Sequence, residues 1–329
     1  MNEIIVVAPA NTMKHLNACM IDIGKSNLLK LGYKVSISEE SFRDVNNIAG
    51  TIEERASSIN RAISDKSAEI IMAVFGGYNS NDLLQYIDFS LMKKLNKKLF
   101  GYSDITCLLN AYYAVTGGCA YHGPGFGTFC DPNISDDTVA SFTKVLNIND
   151  EKYEVKQPET TASDLWFMKP GYGPREWVTH PQWTVVNEGE AKGILVGGNI
   201  ESLLNLIGTK YCPEFKDKIL LIESSFNTDP NRFRMWLSHL NLCNVFDKIN
   251  GLLIGNFTAC TRKNLSDSLL KNMLSDYVPK HVPILINFSS SHTDPILTVP
   301  IGGEIYVRLQ KNIGKIFIST DNREQKEVL

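Results

Sequence analysis

The sequence predicts an α/β protein: an N-terminal doubly wound parallel sheet of flavodoxin-like type, then a smaller mixed α/β domain, with the functional site between them. Three observations carry this. Short β-branched runs alternate with helical periodicity over residues 4–115, the runs end in glycine or small polar turns, and the pattern breaks over 147–190 before it resumes.

Residues 4–8 (IIVVA) form a β-branched run ending at Pro9, and 33–38 form a second with alternating pattern; 16–31 between them read as a helix, so the chain opens β-α-β. Residues 52–64 carry Ile59, Ala62 and Ile63 at helical spacing and lead into a strand at 69–75. A helix at 82–88, a short strand at 98–102 and a helix at 105–115 follow. This alternation implies a parallel sheet, whose ligands sit beyond the carboxyl ends of the strands. From 147 to 190, prolines 158, 170, 174 and 181 and tryptophans 166, 177 and 183 occur without periodicity, which reads as a connection carrying a loop. Strands at 193–196, 218–222, 252–254, 283–288 and 315–319 and helices at 200–207 and 232–240 then make a mixed second unit. The expected division is 1–146, 147–190 and 191–329.

Composition limits the function. In 329 residues the formal charge is −3 with no cluster of Lys and Arg, which argues against a nucleic-acid surface. Seven scattered cysteines without C-x-x-C or Cys/His metal spacing suit a reduced, cytoplasmic protein. Ala8-Pro9-Ala10 has the look of a cleavage site, but Glu3 stands where a positive region belongs and the apolar run is short. No segment approaches the roughly 18 apolar residues of a spanning helix, so no membrane partner is expected.

Three strands each deliver one reactive side chain at the carboxyl end: LFGYSDIT gives Ser103, ILLIESS gives Glu223 and ILINFSSSHTDP gives His292. A serine hydroxyl becomes a nucleophile when an imidazole removes its proton, and the imidazole needs an acid to fix its tautomer. Each residue has a plainer reading: Ser103 as a helix N-cap, Glu223 as a solvated loop acid, His292 as a polar turn residue. Ser103 also lies outside the G-x-S-x-G elbow.

GGYNSNDLLQYID, GYSDITCLLNAYYAVTG, GGNIESL, ILLIESS and SHTDPILTVPIG, in this order and spacing, resemble the LD-carboxypeptidase family of serine peptidases, and within it the microcin C self-immunity branch. The resemblance runs over nearly the whole chain and is densest over 183–255. It implies Ser103 as nucleophile, Glu223 as triad acid and His292 as general base, an active site between two domains, a homodimer, and hydrolysis without metal or cofactor. The substrate it implies is a small peptide or peptidyl nucleotide. Cleavage of a peptidyl-aspartyl nucleotide is the first reading, and release of the terminal D-amino acid from a murein tetrapeptide is the alternative. A two-domain ligand-binding protein without chemistry is the rival from another class.

The stretch FGGYNSND then acquires a role. A glycine pair lets the chain approach an oxyanion without a Cβ in the way, so one donor is assigned to the Gly76-Gly77 turn, at Gly77, and the other to the amide of Asp104 at a helix N-terminus. Asn79, Ser80 and Asn81 would line the pocket or cap the next helix. A tight turn with no oxyanion role is the plainer reading, and a P-loop is disfavoured because its Lys-Ser/Thr end is absent. The second pair, GGNIESL, places Asn199 before a helix, where capping is the default; in the resembling family the matching Asn faces substrate. That family also stacks an aromatic of the loop region on its substrate's base, which makes Trp166, Trp177 and Trp183 candidates against ordinary packing. Asp294, after the histidine, is a second candidate to orient the imidazole. Arg175 is the guess for a carboxylate anchor.

Overall fold

The computed structural model describes residues 2–148, 152–311 and 313–319. Five parallel strands, β1 (Asn2–Val7), β2 (Tyr33–Ile37), β3 (Ala68–Ala73), β4 (Lys98–Gly101) and β5 (Ala120–His122), lie in the order β2-β1-β3-β4-β5, the flavodoxin-like winding expected. The inner strands β1 and β3 read as near-continuous apolar runs because helices cover both faces, whereas β2, at the sheet edge, alternates. Helix Ile52–Ser64 shows the local logic: Thr51 and Glu54 form a capping box, and Ile59, Ala62 and Ile63 turn inward as their spacing requires.

The next strands are β6 (Tyr153–Val155), β7 (Thr160–Thr161), β8 (Val178–Thr179), β9 (Thr184–Asn187), β10 (Gly189–Asn199), β11 (Ile219–Glu223), β12 (Gly251–Gly255) and β13 (Ile284–Phe288). They are followed by β14 (Val299–Ile301), β15 (Glu304–Gln310) and β16 (Ile313–Ser319). An eight-stranded sheet runs β6-β16-β15-β10-β11-β12-β13-β9, with β10 to β13 parallel and the flanking pairs antiparallel. Fully buried Leu220, Ile222, Leu252, Ile254, Ile284 and Ile286 anchor it against helices Pro230–Leu242 and Asp267–Tyr277.

The second sheet has eight strands against six in the first. Three expectations change. Residues 147–190 are more than a loop, because β6 and β9 join the second sheet and β7 pairs with β8. No helix spans 82–88; a 3-10 turn fills Ser80–Leu83 and the helix starts one cap later at Phe89–Lys94, where Asp88 accepts from the Leu91 amide. Finally, β14 returns to the first sheet and pairs antiparallel with β5. We propose the division 1–146, 147–190 and 191–329 with that one strand exchanged; within it, residues 1, 149–151, 312 and 320–329 lie outside the described residues.

Among the described residues no helix is long and apolar enough to cross a membrane. The segments at the carboxyl ends of β1, β3, β4, β10, β11 and β13 meet at one cleft, where they supply Asn11, Gly76, Ser103, Asn199, Ser225 and His292.

Candidate active site

Ser103 follows β4 and opens a helical run that continues as Thr106–Thr116. Its backbone sits at φ +62°, a left-handed conformation that costs a non-glycine residue about 1 kcal/mol or more. The sharp strand-to-helix turn is thus made without the glycine spacing of the usual elbow. The hydroxyl is not spent on a helix cap: Ser103 Oγ lies 3.0 Å from His292 Nε2.

His292 follows β13 on a turn of buried Ser289, Ser290 and Ser291. Its Nδ1 stands 2.5 Å from Oε2 of Glu223, which ends β11 and is fully buried. Burial alone would lift that carboxyl, but the adjacent imidazole and its hydrogen bond, with His122 and Asn199 nearby, hold Glu223 below the usual carboxylate range. An ionised Glu223 accepts a hydrogen bond from Nδ1–H, which leaves Nε2 free to accept from the serine. Tyr102 packs edge-on to the imidazole at 5.2 Å between ring centres. The structure therefore brings together three residues 189 and 69 positions apart in sequence. Glu223 is no solvated loop acid, and Asp294 does not face the imidazole. Its carboxylate engages Arg175 instead, at 2.6 Å.

The glycine pair sits against this row. A Cβ on Gly76 would fall 2.8 Å from Ser103 Cβ, 2.9 Å from its Oγ and 3.0 Å from the Asp104 amide nitrogen; one on Gly77 would meet Asn11 and Ala10. The turn is fixed from below. Asp104 accepts from the amides of Asn79 and Ser80 at 3.0 and 2.9 Å, and buried Arg55 donates to the carbonyls of Pro9 and Asn79. Asn79 is therefore occupied in bracing the loop and does not line the cleft, contrary to its expected place at the substrate. Asn199 does line it while capping its own helix by accepting from the Ser202 amide. Its neighbour Gly198, at φ +129°, has no room for a Cβ beside Thr106 and His122.

Two chambers share Asn11, Phe75 and Tyr102, and Ser103 lines the first of them. One, about 430 Å³, is polar and includes Asn199, Glu201, Asn205, Ser225 and Phe226, with Tyr78 at its rim; among the described residues no Lys or Arg lines it. The other, about 420 Å³, is walled by Leu16, Met20, Phe75, Trp166 and Phe167, with Asp131 and Asp294 in its lining.

Of the tryptophans, only Trp166 lines a chamber. Trp183 belongs to the core, packed on Phe288 with its Nε1 donating to Ser289 Oγ, so it leaves the list of substrate contacts. Trp177 lies under the Arg175 guanidinium at 5.3 Å. Arg175 itself is committed to Asp131, Asp164 and Asp294 and is no free anchor.

The sequence reading missed His122, Tyr78 and Phe226. The first ends strand β5 as the lone polar residue of AYH, and the other two are aromatics in strand-end loops, a signal that loop position makes worth noting. His122 is fully buried, with Nδ1 3.0 Å from Ser290 Oγ, and burial, partly offset by Glu223, pushes its pKa down to about 4. The unfolded chain protonates such a ring near its ordinary 6.5, so between those values the native state binds fewer protons. The stability from keeping it neutral is whole above pH 6.5 and is lost as pH falls toward 4. Over about 2.5 pH units that is up to about 3 kcal/mol. Urea unfolding at pH 7 and pH 4.5 is expected to give a larger loss for the natural protein than for His122→Gln, by about 2 kcal/mol; equal losses would contradict it.

Among the described residues no group of three or more His, Cys, Asp or Glu is arranged to hold a metal.

The family described as the LD-carboxypeptidase N-terminal domain matches residues 4–123, and the LD-carboxypeptidase C-terminal domain matches 192–307. A Bacillus subtilis protein named as a carboxypeptidase, YocD, is 34% identical over 96% of both chains. The microcin C7 self-immunity protein MccF of Escherichia coli is 31% identical over 83% of this chain and 81% of that one. A solved structure of MccF in complex with aspartyl sulfamoyl adenosine superposes with a TM-score of 0.87, at 27% identity, over 97% of this chain and 96% of that chain. A B. subtilis protein named as a murein peptide carboxypeptidase is 28% identical over 91% of this chain and 86% of its own.

Proposed function

The chain belongs to the LD-carboxypeptidase family of serine peptidases, and we propose that it cleaves the amide joining a peptidyl aspartate to a nucleotide, with Ser103 as nucleophile, His292 as general base and Glu223 as the acid that orients it. The observation that carries the reading is the unbroken row from Ser103 Oγ through both nitrogens of His292 to buried Glu223. His292 takes the hydroxyl proton as Ser103 attacks the carbonyl carbon. The tetrahedral oxyanion then meets the amides of Gly77 and Asp104, the latter at a helical N-terminus. His292 returns the proton to the departing nitrogen, and the same base activates the water that hydrolyses the acyl-enzyme.

The two chambers divide the substrate. The carboxylate of the acyl part is held by neutral donors, Asn199, Asn205 and Ser225, since among the described residues no Lys or Arg lines that chamber. The aromatic-walled chamber takes the base of the leaving group against Trp166. Stacking on an aromatic side chain stabilises a base by about 1–3 kcal/mol, whereas a D-amino acid has nothing to stack. Trp166→Ala is therefore expected to raise KM for an aspartyl-adenylate analogue about tenfold or more while leaving kcat within a few-fold.

Release of a D-amino acid from a murein tetrapeptide is the second reading, supported by the similarity to the murein peptide carboxypeptidase. Both substrates assayed side by side on the natural protein decide between them. Turnover of the tetrapeptide with none of the adenylate analogue would overturn the first reading. The work of such an enzyme, on small molecules and without a metal or cofactor, suits a cytoplasmic protein; a homodimer is the assembly we propose with it.

A further inference from the structure

We propose that Arg175 is a positioning residue for His292, acting through Asp294; this rests on the role given to His292 above. Asp294 lies two residues beyond the histidine, and its backbone is stapled to the loop strand of residues 160–162. Ala162 and Asp294 exchange amide-to-carbonyl hydrogen bonds at 2.8 Å each way, and Thr161 Oγ1 donates to the Asp294 carbonyl at 2.9 Å. The Asp294 carboxylate then receives Arg175 Nη2 at 2.6 Å. The same guanidinium turns Nε to Asp164, 3.1 Å away within the loop, and Nη1 to Asp131, which follows β5 in the first half of the chain. One buried cation thus joins the histidine turn, the loop bearing Trp166 and Phe167, and the half of the molecule that supplies Ser103. The side chain is 2% exposed.

The planar fork is what this junction uses. Three carboxylates approach one guanidinium on separate nitrogens, a geometry that an ammonium on a flexible stem does not reproduce. Loosening the junction frees the 292–294 turn relative to Ser103. A misplacement of about 1 Å at a reacting group costs about a hundredfold in rate.

The test is the rate at which a fluorophosphonate modifies Ser103, with folding checked by thermal unfolding. Arg175→Lys is expected to slow labelling tenfold to a hundredfold although the charge is kept. In a His292→Ala background, where the base is gone, the same change is expected to slow it less than twofold, because the two residues act as one unit. Asp294→Asn, which breaks a single arm and keeps the volume, is the second variant and is expected to show the same non-additivity if Arg175→Lys does not fold. Equal slowing with and without His292, or a folded Arg175→Lys protein labelled at the natural rate, would overturn the inference. Failure of the natural protein to label at Ser103 would instead remove the catalytic reading, and this inference with it.

Discussion

Ser103→Ala and His292→Ala are each expected to lower kcat by several orders of magnitude, and the double change is expected to add little to either. The reason is that the hydroxyl and imidazole perform one step. With Oγ and Nε2 3.0 Å apart, proton removal and attack occur together, so loss of either partner leaves only binding and oxyanion stabilisation. Glu223 contributes differently. It holds the Nδ1–H tautomer and offsets the charge that His292 gains, so Glu223→Gln is expected to cost less than Ser103→Ala but more than Asp294→Asn, whose carboxylate faces Arg175 and not the ring. Steady-state kinetics on the four single variants and the Ser103/His292 double variant check this. Fully additive losses would mean that the two residues do not share a step, and a larger effect at Asp294 than at Glu223 would mean the wrong acid.

Gly76→Ala is expected to lower kcat by about 10²–10³-fold, the loss typical of an oxyanion donor removed from an acyl-transfer site. The added methyl meets the Cβ and Oγ of Ser103 and the amide of Asp104, all within 3.0 Å. None of these is the far end of a flexible side chain. The loop cannot simply retreat, since Asn11 donates to the Gly76 carbonyl from one side and Asp104 and Arg55 grip residues 79–80 from the other. The methyl therefore displaces either the nucleophile or the space its oxyanion needs. Stability is expected to fall by only about 1–3 kcal/mol, as for other overpacked sites, and thermal unfolding separates that from the kinetic loss. Unaltered kcat in a folded Gly76→Ala protein would place the oxyanion elsewhere.

How far the sequence led can be judged from particular residues. Ser103, Glu223 and His292 were readable because each follows or ends an apolar strand at the carboxyl edge of a parallel sheet, where ligands sit: the first sheet for Ser103, the second for Glu223 and His292. The flavodoxin-like order followed from the same alternation. The helix expected at 82–88 failed because its apolar spacing matched a 3-10 turn as well as a helix, while the real start signal was the cap at Asp88. The strands hidden in 147–190 failed for another reason. β6 and β9 are short and are specified by partners far along the chain, β16 and β13, so no local period announces them. Arg175 is the extreme case: its three carboxylates lie 11, 44 and 119 residues away, and nothing in PGYGPREW reveals that its charge is already spoken for. Trp183 looked like its two neighbours in a proline-rich stretch, yet it is a core residue because β9 carries it into the second sheet.

The most direct test of the central assignment is to treat the folded protein with a serine-reactive fluorophosphonate and map the modified residue by peptide mass. One phosphonyl group is expected on Ser103, none on Ser103→Ala, and modification slowed by orders of magnitude in His292→Ala. Modification of a different serine, or none at all in a protein shown to be folded, would contradict it.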